Sequence, residues 1–114
     1  ELAMRFLKNR AIGITGTNGK TTLTLLLAHL LNCSGIKARA LGNVGASIAE
    51  YACNPDPSEV LVVELSSYQL ETMTTKGFDI GVITNVTPDH LDRYTKYFHL
   101  ISWPLLDIYR DSFC

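Results

Sequence analysis

The chain has 114 residues, of which 46% are hydrophobic and 18% charged, and its net charge is −1. This composition excludes a disordered chain and predicts a single domain, or part of one, with a buried core. The sequence has no basic run, and its longest apolar run is residues 23–31, so we expect neither a nucleic-acid partner nor a membrane partner.

Patterns typical of strands and helices alternate along the chain. Strands are predicted at residues 11–15, 37–41, 60–63 and 80–84, and helices at residues 1–9, 21–32 and 46–53, with a helical turn after Ser66. The leucine-rich helix at residues 21–32 is apolar almost all round, so we expect it to be buried between the sheet and a neighbouring element. The alternation predicts an α/β fold with a parallel sheet whose ligands bind at the carboxyl ends of the strands.

The stretch AIGITGTNGKTT, residues 11–22, has the arrangement of a phosphate-binding loop between a strand and a helix. Its backbone N–H groups can form a nest for phosphate oxygens, because Gly16 and Gly19 permit the required backbone angles and a close approach. Lys20 offers a positive charge to the β- and γ-phosphates, Thr21 offers a hydroxyl to Mg²⁺, and the helix adds the positive end of its dipole. The strict pattern requires glycine where Ile14 stands, so the alternative is an ordinary strand–turn–helix junction with a surface lysine. The predicted nucleotide-binding residues are Gly16, Thr17, Asn18, Gly19, Lys20, Thr21 and Thr22.

Polar residues also follow the second and third predicted strands. Asn43 lies in a GNVG turn, which is either an ordinary turn or a ligand contact. Glu64 ends the third strand and is the expected carboxylate partner of Mg²⁺, with an exposed strand-end glutamate as the alternative. Ser66 and Ser67 either cap the following helical turn or face the ligand.

The segment after the fourth predicted strand is crowded with hydrogen-bonding groups. It reads NVTPDHLDRY, residues 85–94, and includes Asp89 and His90. A single histidine is more often structural, but the neighbouring acids and the strand end favour a metal or phosphate contact for His90. In a parallel sheet, the strand-end residues gather on one rim. These residues are Lys20, Asn43, Glu64 and His90.

Four motifs together resemble the Mur ligase family. The loop GTNGKTT (residues 16–22) is shared across that family and, in modified form, with folylpolyglutamate synthetases. The segments ELSSYQLE (residues 64–71) and NVTPDHLDRY, together with GNVG (residues 42–45), are similar to the branch that adds D-glutamate. The resemblance covers residues 1 to about 94.

The resemblance implies an ATP- and Mg²⁺-dependent amide-forming ligase of peptidoglycan precursor synthesis. The three cysteines are odd in number and have no metal-ligand spacing, so we expect reduced thiols in a cytoplasmic protein. In the family's reaction, the alanyl carboxylate of UDP-N-acetylmuramoyl-L-alanine attacks the γ-phosphate of ATP. The amine of D-glutamate then displaces phosphate from the acyl phosphate. By this resemblance, the residue roles are as follows: Lys20, Glu64 and His90 catalytic; Thr21, Glu64 and His90 metal-binding; Asn43, Ser66 and Asp89 substrate-binding.

The resemblance also implies an incomplete three-layer, mostly parallel central domain with a phosphate loop. Because the chain begins at Glu1 rather than Met, we expect a piece of a longer protein, without the family's uridine-nucleotide domain or C-terminal domain. The family's carbamylated lysine has no counterpart, since Leu105 stands near its register and Lys96 is the last lysine. We therefore expect Mg²⁺-ATP binding without turnover.

Three other classes of protein share part of this pattern. A nucleotide-binding remnant without catalysis would equally lack the downstream lysine. A folate-type ligase would share the loop but not ELSSYQLE. A kinase or GTPase with a phosphate loop would favour the full glycine pattern, and a GTPase would add a guanine-reading segment.

Overall fold

The computed structural model describes residues 2–74 and 77–87, and their core is a four-stranded parallel sheet. A short 3-10 helix, Leu2–Phe6, precedes the sheet. The strands are β1 (Ala11–Thr15), β2 (Ala38–Gly42), β3 (Val60–Glu64) and β4 (Ile80–Ile83). The helices are α1 (Lys20–Cys33), α2 (Ile48–Ala52) and α3 (Ser67–Glu71). The predicted α/β class and parallel sheet are confirmed, with strand and α1 boundaries shifted by a residue or so.

The strand order β2-β3-β1-β4 puts β1 inside the sheet, between β3 and β4. The chain leaves β1, passes over β3 to form β2, and returns to form β3 next to β1. Ile14 of β1 therefore pairs with Glu64 of β3. Because the connections after these two strands run in opposite directions, a crevice forms between their carboxyl ends, which is where α/β sheets bind ligands.

Helices cover both faces of the sheet. On one face, Ala28 of α1 packs in a cluster with Ile14 and Val62. On the other face, Tyr51 of α2 and Leu70 of α3 belong to a larger cluster that also contains buried side chains from β1, β2 and β3. The connections between parallel strands are right-handed. A connection that crosses the sheet in one direction therefore puts its helix on one face, and a connection in the other direction puts its helix on the opposite face. The result is three layers.

Helix α1 is less buried than its composition predicts. Thr24 and Ala28 face the sheet and are buried, whereas Leu25, Leu26 and Leu30 are 48%, 49% and 52% exposed. Among the residues that the structure describes, only the sheet-facing side of α1 is covered, so the expectation that α1 is also buried against a neighbouring element is wrong there. Although α1 is rich in leucine, neither it nor any other helix in the described part of the chain is long and apolar enough to cross a membrane.

Candidate functional site

Residues 16–19 form the loop that connects β1 to α1 at the carboxyl edge of the sheet. Gly19 caps α1 with a left-handed backbone (φ +81°), and its carbonyl accepts the first helical hydrogen bond, from Leu23 N–H at 3.0 Å. A Cβ on Gly19 would meet no atom within 4 Å, so the angle rather than lack of space requires glycine there. The first N–H groups of α1 have no acceptor inside the helix and point outward at the positive end of its dipole.

Gly16 is required for a different reason. Its φ is +133°, and a Cβ there would collide with Thr84 Oγ1 and lie 2.9 Å from the carbonyl oxygen of Asn85. The close approach that the sequence predicted for this glycine is thus an approach to the protein's own chain after β4. The loop and the segment that follows β4 are packed backbone against backbone.

That packing occupies two of the N–H groups expected in the phosphate nest. Thr17 N–H donates to the backbone oxygen of Asn85 at 3.0 Å, and Asn18 N–H donates to Asn85 Oδ1 at 2.9 Å. In this conformation, the donors that remain directed outward are those at the start of α1, from Gly19 to Thr22. Two of the N–H groups that the sequence predicts for the nest are therefore bonded to the protein's own chain in this conformation.

The side chain of Lys20 folds back over the loop. Its Nζ donates to the carbonyl oxygens of Gly16 at 2.7 Å and Thr17 at 2.9 Å. An ammonium group has three donors, so these two bonds leave one for an anion above the loop. The half-buried lysine thus fixes a unit of positive charge beside the N-terminus of α1.

Thr21 and Glu64 meet in the crevice between β1 and β3. Thr21 Oγ1 donates to Glu64 Oε2 at 2.9 Å, and Glu64 is only 5% exposed. A hydroxyl and a carboxylate side by side are oxygen ligands of the kind Mg²⁺ prefers. The described residues contain no group of three or more histidine, cysteine, aspartate or glutamate side chains that could hold a metal ion.

The turn after β2 lies beside Glu64. Asn43 is exposed, and its backbone N–H donates to the carbonyl oxygen of Glu64 at 3.3 Å. Of the two alternatives for Ser66, the structure shows the cap: its Oγ accepts from Gln69 N–H at 3.3 Å, and Gln69 Oε1 accepts from Ser66 N–H at 2.8 Å. This capping box fixes the start of α3 immediately after β3.

The structure thus places three of the four predicted rim residues at one edge of the sheet. Lys20, Asn43 and Glu64 stand at or just beyond the carboxyl ends of β1, β2 and β3, which all run in the same direction. Asp89 and His90 lie outside the described residues.

Sequence reasoning did not identify the residues that hold the loop from the side of β4. Thr84, Asn85 and Thr87 all hydrogen-bond to Thr17 or Asn18. The sequence did show a polar run that begins as soon as β4 ends. It did not show that β4 pairs with β1, and this pairing puts the polar run beside the loop.

A second polar cluster lies at the opposite, amino edge of the sheet. Arg39 donates two hydrogen bonds to Glu59, at 2.8 and 2.9 Å, and its guanidinium lies 5.6 Å from the centre of the Tyr51 ring. Asn9 donates to the backbone oxygens of Asp56 and Glu59 at 2.7 and 2.9 Å. Hydrogen bonds from Arg39 lower the pKa of Glu59, while burial raises the pKa of Tyr51. These groups bind one another and tie the strand entrances together, which indicates a structural role.

Comparison with known proteins identifies the family of this chain. Residues 14–101 match the Mur ligase middle domain. The chain is 52% identical over 94 residues to the UDP-N-acetylmuramoylalanine–D-glutamate ligase of Protochlamydia amoebophila, covering 82% of this chain and 21% of that protein. It is 44% identical over 113 residues to the enzyme of the same name from Chlorobium limicola, covering 96% of this chain and 24% of that protein.

The chain thus spans about a fifth of the length of the curated relatives it matches. The relatives' names agree with the D-glutamate-adding branch indicated by ELSSYQLE and NVTPDHLDRY. The family match begins at Ile14, at the end of β1, and includes the loop, Glu64 and the segment after β4. Since the match covers well over half of the chain, the chain belongs to the Mur ligase family, within its middle domain.

Proposed function

We propose that this chain is the front part of the central domain of a Mur ligase and binds the triphosphate of Mg²⁺-ATP. The observation that carries the proposal is the 2.9 Å hydrogen bond between Thr21 and Glu64, in the crevice between β1 and β3. It puts a hydroxyl and a carboxylate beside the first turn of α1, where N–H groups and Lys20 gather. A phosphate and its metal ion need these groups at this spacing.

Each side chain has a separate task in this arrangement. Lys20 supplies a point charge to the β- and γ-phosphate oxygens, and the helix N-terminus supplies N–H donors. A hydroxyl has one proton and two lone pairs, so Thr21 can donate to Glu64 and still offer a lone pair to Mg²⁺. When bound, Mg²⁺ neutralises phosphate charge, which a carboxylate attacking ATP requires, since two unit charges about 4 Å apart repel by about 4 kcal/mol at intermediate dielectric.

The proposed reaction joins UDP-N-acetylmuramoyl-L-alanine to D-glutamate, the substrates in the relatives' names. The alanyl carboxylate takes the γ-phosphate from ATP, and the D-glutamate amine then displaces it to form the amide. Asn43 lies beside Glu64 on the rim, which supports contact with the sugar–alanine substrate. Ser66, two residues after Glu64, is proposed as a second substrate contact in addition to its role as the cap of α3. We also propose that Asp89 contacts the substrate and that His90 supports a second Mg²⁺ site.

We further propose that the 114 residues on their own bind Mg²⁺-ATP without turnover, and that the protein acts in the cytoplasm in peptidoglycan precursor synthesis. The cytoplasmic assignment is supported by Cys33 and Cys53, which are exposed free thiols of the kind found in reducing compartments. The alternative of a nucleotide-binding remnant is kept because the sequence carries no lysine after Lys96.

The test of the nucleotide site is a comparison of two lysine variants by calorimetry with Mg²⁺-ATP. Lys20→Ala should weaken binding by more than tenfold, about 1.4 kcal/mol, because it removes the charge over the loop. Lys37→Ala is the matched control, since Lys37 is exposed at the amino edge, 3.3 Å from Asp56. Equal affinities of wild type and Lys20→Ala would remove the phosphate-loop assignment.

A further inference from the structure

Asn85 makes three hydrogen bonds to the loop that connects β1 to α1. Its Oδ1 accepts from Asn18 N–H at 2.9 Å, and its Nδ2 donates to Asn18 C=O, also at 2.9 Å. Its backbone oxygen accepts from Thr17 N–H at 3.0 Å. One residue therefore satisfies three polar groups of the loop backbone: Thr17 N–H, Asn18 N–H and Asn18 C=O.

The carboxamide of Asn85 imitates one rung of a β-ladder. A backbone unit in a ladder offers one donor and one acceptor to its neighbour, and here the side-chain amide offers the same pair to Asn18. Two further bonds reinforce the pair: Thr84 Oγ1 donates to Asn18 C=O at 2.7 Å, and Thr87 N–H donates to Thr17 Oγ1 at 3.0 Å. The loop is thus paired on the side of β4 just before the chain turns into α1.

The pairing lies immediately before the start of α1. Thr17 and Asn18 N–H are directed toward Asn85, and the next residue, Gly19, caps α1 with φ +81°. Asn18 and Asn85 are both exposed, so water can replace these hydrogen bonds when the side chain is removed. The contribution of the pair should then appear in the order of the loop rather than in the stability of the fold.

We propose that Asn85 is a positioning residue for nucleotide binding, which holds the loop in its anion-binding shape through the Asn18 backbone. The inference rests on the proposed function, because it concerns the same site. Asn85 touches no phosphate in this scheme; it acts through the loop. Without it, the bound nucleotide must order the loop itself, and the entropy of fixing about one residue's backbone is comparable to a tenfold change in affinity.

The experiment measures Mg²⁺-ATP affinity by calorimetry and amide hydrogen exchange by NMR for Asn85→Ala and Asn85→Ser, with Asn54→Ala as the control. Asn54 is an exposed asparagine in the loop between α2 and β3, at the amino edge of the sheet and away from the loop after β1. Its replacement should therefore leave the affinity for Mg²⁺-ATP unchanged. Both Asn85 variants should bind about tenfold more weakly. Their Asn18 amide should exchange faster while the amide of Val62, in the core, stays protected.

The outcomes separate this inference from the function on which it rests. If wild type binds Mg²⁺-ATP, Lys20→Ala does not, and the Asn85 variants bind like wild type, then only the positioning role is overturned. Faster exchange at Asn18 with unchanged affinity also overturns it, because the loop would not need the pair. Loss of cooperative unfolding in both variants would assign Asn85 to the fold instead. Absence of binding by wild type would instead overturn the proposed function.

Discussion

A single buried hydroxyl shows how this fold tolerates a polar residue in an apolar helix. Thr24 interrupts the leucine run of α1 and is fully buried against the sheet. Among the described residues, its Oγ1 has no hydrogen-bond partner. A buried hydroxyl without a partner carries the full cost of leaving water, about 1–3 kcal/mol, whereas an apolar group of the same shape does not.

Replacing Thr24 with valine should therefore stabilise the chain. Valine keeps the branched shape and exchanges the orphaned hydroxyl for a methyl group, so we expect the free energy of unfolding to rise by about 1 kcal/mol. Urea denaturation measures the change. Thr24→Ser is the matched variant, because it keeps the hydroxyl, loses the methyl and should be less stable than wild type. A valine variant less stable than wild type would show that the hydroxyl is paired in solution.

Among the elements, β3 is entered through a turn that Asp56 holds. Asp56 Oδ1 accepts from the Ser58 hydroxyl at 2.7 Å and from Ser58 N–H at 3.0 Å, and Oδ2 lies 3.3 Å from Lys37 Nζ. These hydrogen bonds, those from Ser58 above all, lower the pKa of Asp56 from 3.8 to about 2. All of them favour the ionised carboxylate, so the turn depends on its charge.

The stability of the chain should consequently depend on pH through Asp56. Its pKa is lower in the folded chain than in the unfolded one, so its contribution is present above pH 3.8 and is lost as pH falls toward 2. Asp56→Asn cannot titrate, so it should be less stable than wild type at pH 7 and should lose less stability over that acidic window. Urea denaturation at a series of pH values gives both numbers. Parallel pH profiles for the two proteins would contradict the assignment.

At the scale of the elements, the sequence predicted the features that depend on residues close together in the chain. The strand AIGIT, the loop and the start of α1 follow from a dozen consecutive residues, and all three are found where the pattern indicated. The pairing of Asn18 with Asn85 joins positions 67 residues apart, so no local pattern announces it. The exposed leucines of α1 were misjudged for a related reason: composition shows that a helix is apolar, but not which of its sides another element covers.

At the scale of the whole molecule, the fold brings together polar side chains that are far apart in the sequence. Lys20, Thr21 and Glu64 lie together in the crevice between β1 and β3. The chain spans about a fifth of the relatives it matches, so most of the sequence from which they build a complete site is not among these 114 residues. Attack by a carboxylate and then by an amine requires both reactants to be aligned, and alignment is a large part of catalysis in such steps.

We expect the 114-residue chain to bind Mg²⁺-ATP but to make no amide. The assay combines the purified chain with ATP, Mg²⁺, UDP-N-acetylmuramoyl-L-alanine and D-glutamate, and follows phosphate release and the amide product. Calorimetric binding of Mg²⁺-ATP in the same preparation shows that the site is folded. Product that depends on every substrate and disappears in Lys20→Ala would show that these residues suffice for the ligase reaction.

The strand order also has a consequence for how the chain is made. The central strand β1 leaves the ribosome first among the strands, yet its neighbours are β3, beginning at Val60, and β4, beginning at Ile80. Synthesis proceeds at roughly 5–20 residues per second, so β4, the second partner of β1, is made roughly 3–14 seconds after β1. During that interval, the N–H and C=O groups of the apolar strand AIGIT are not yet paired with those of both neighbours. Unpaired groups on an apolar strand favour aggregation. The loop that follows β1 is likewise synthesised long before Asn85, so in the nascent chain Thr17 and Asn18 at first lack the hydrogen bonds that Asn85 makes to them.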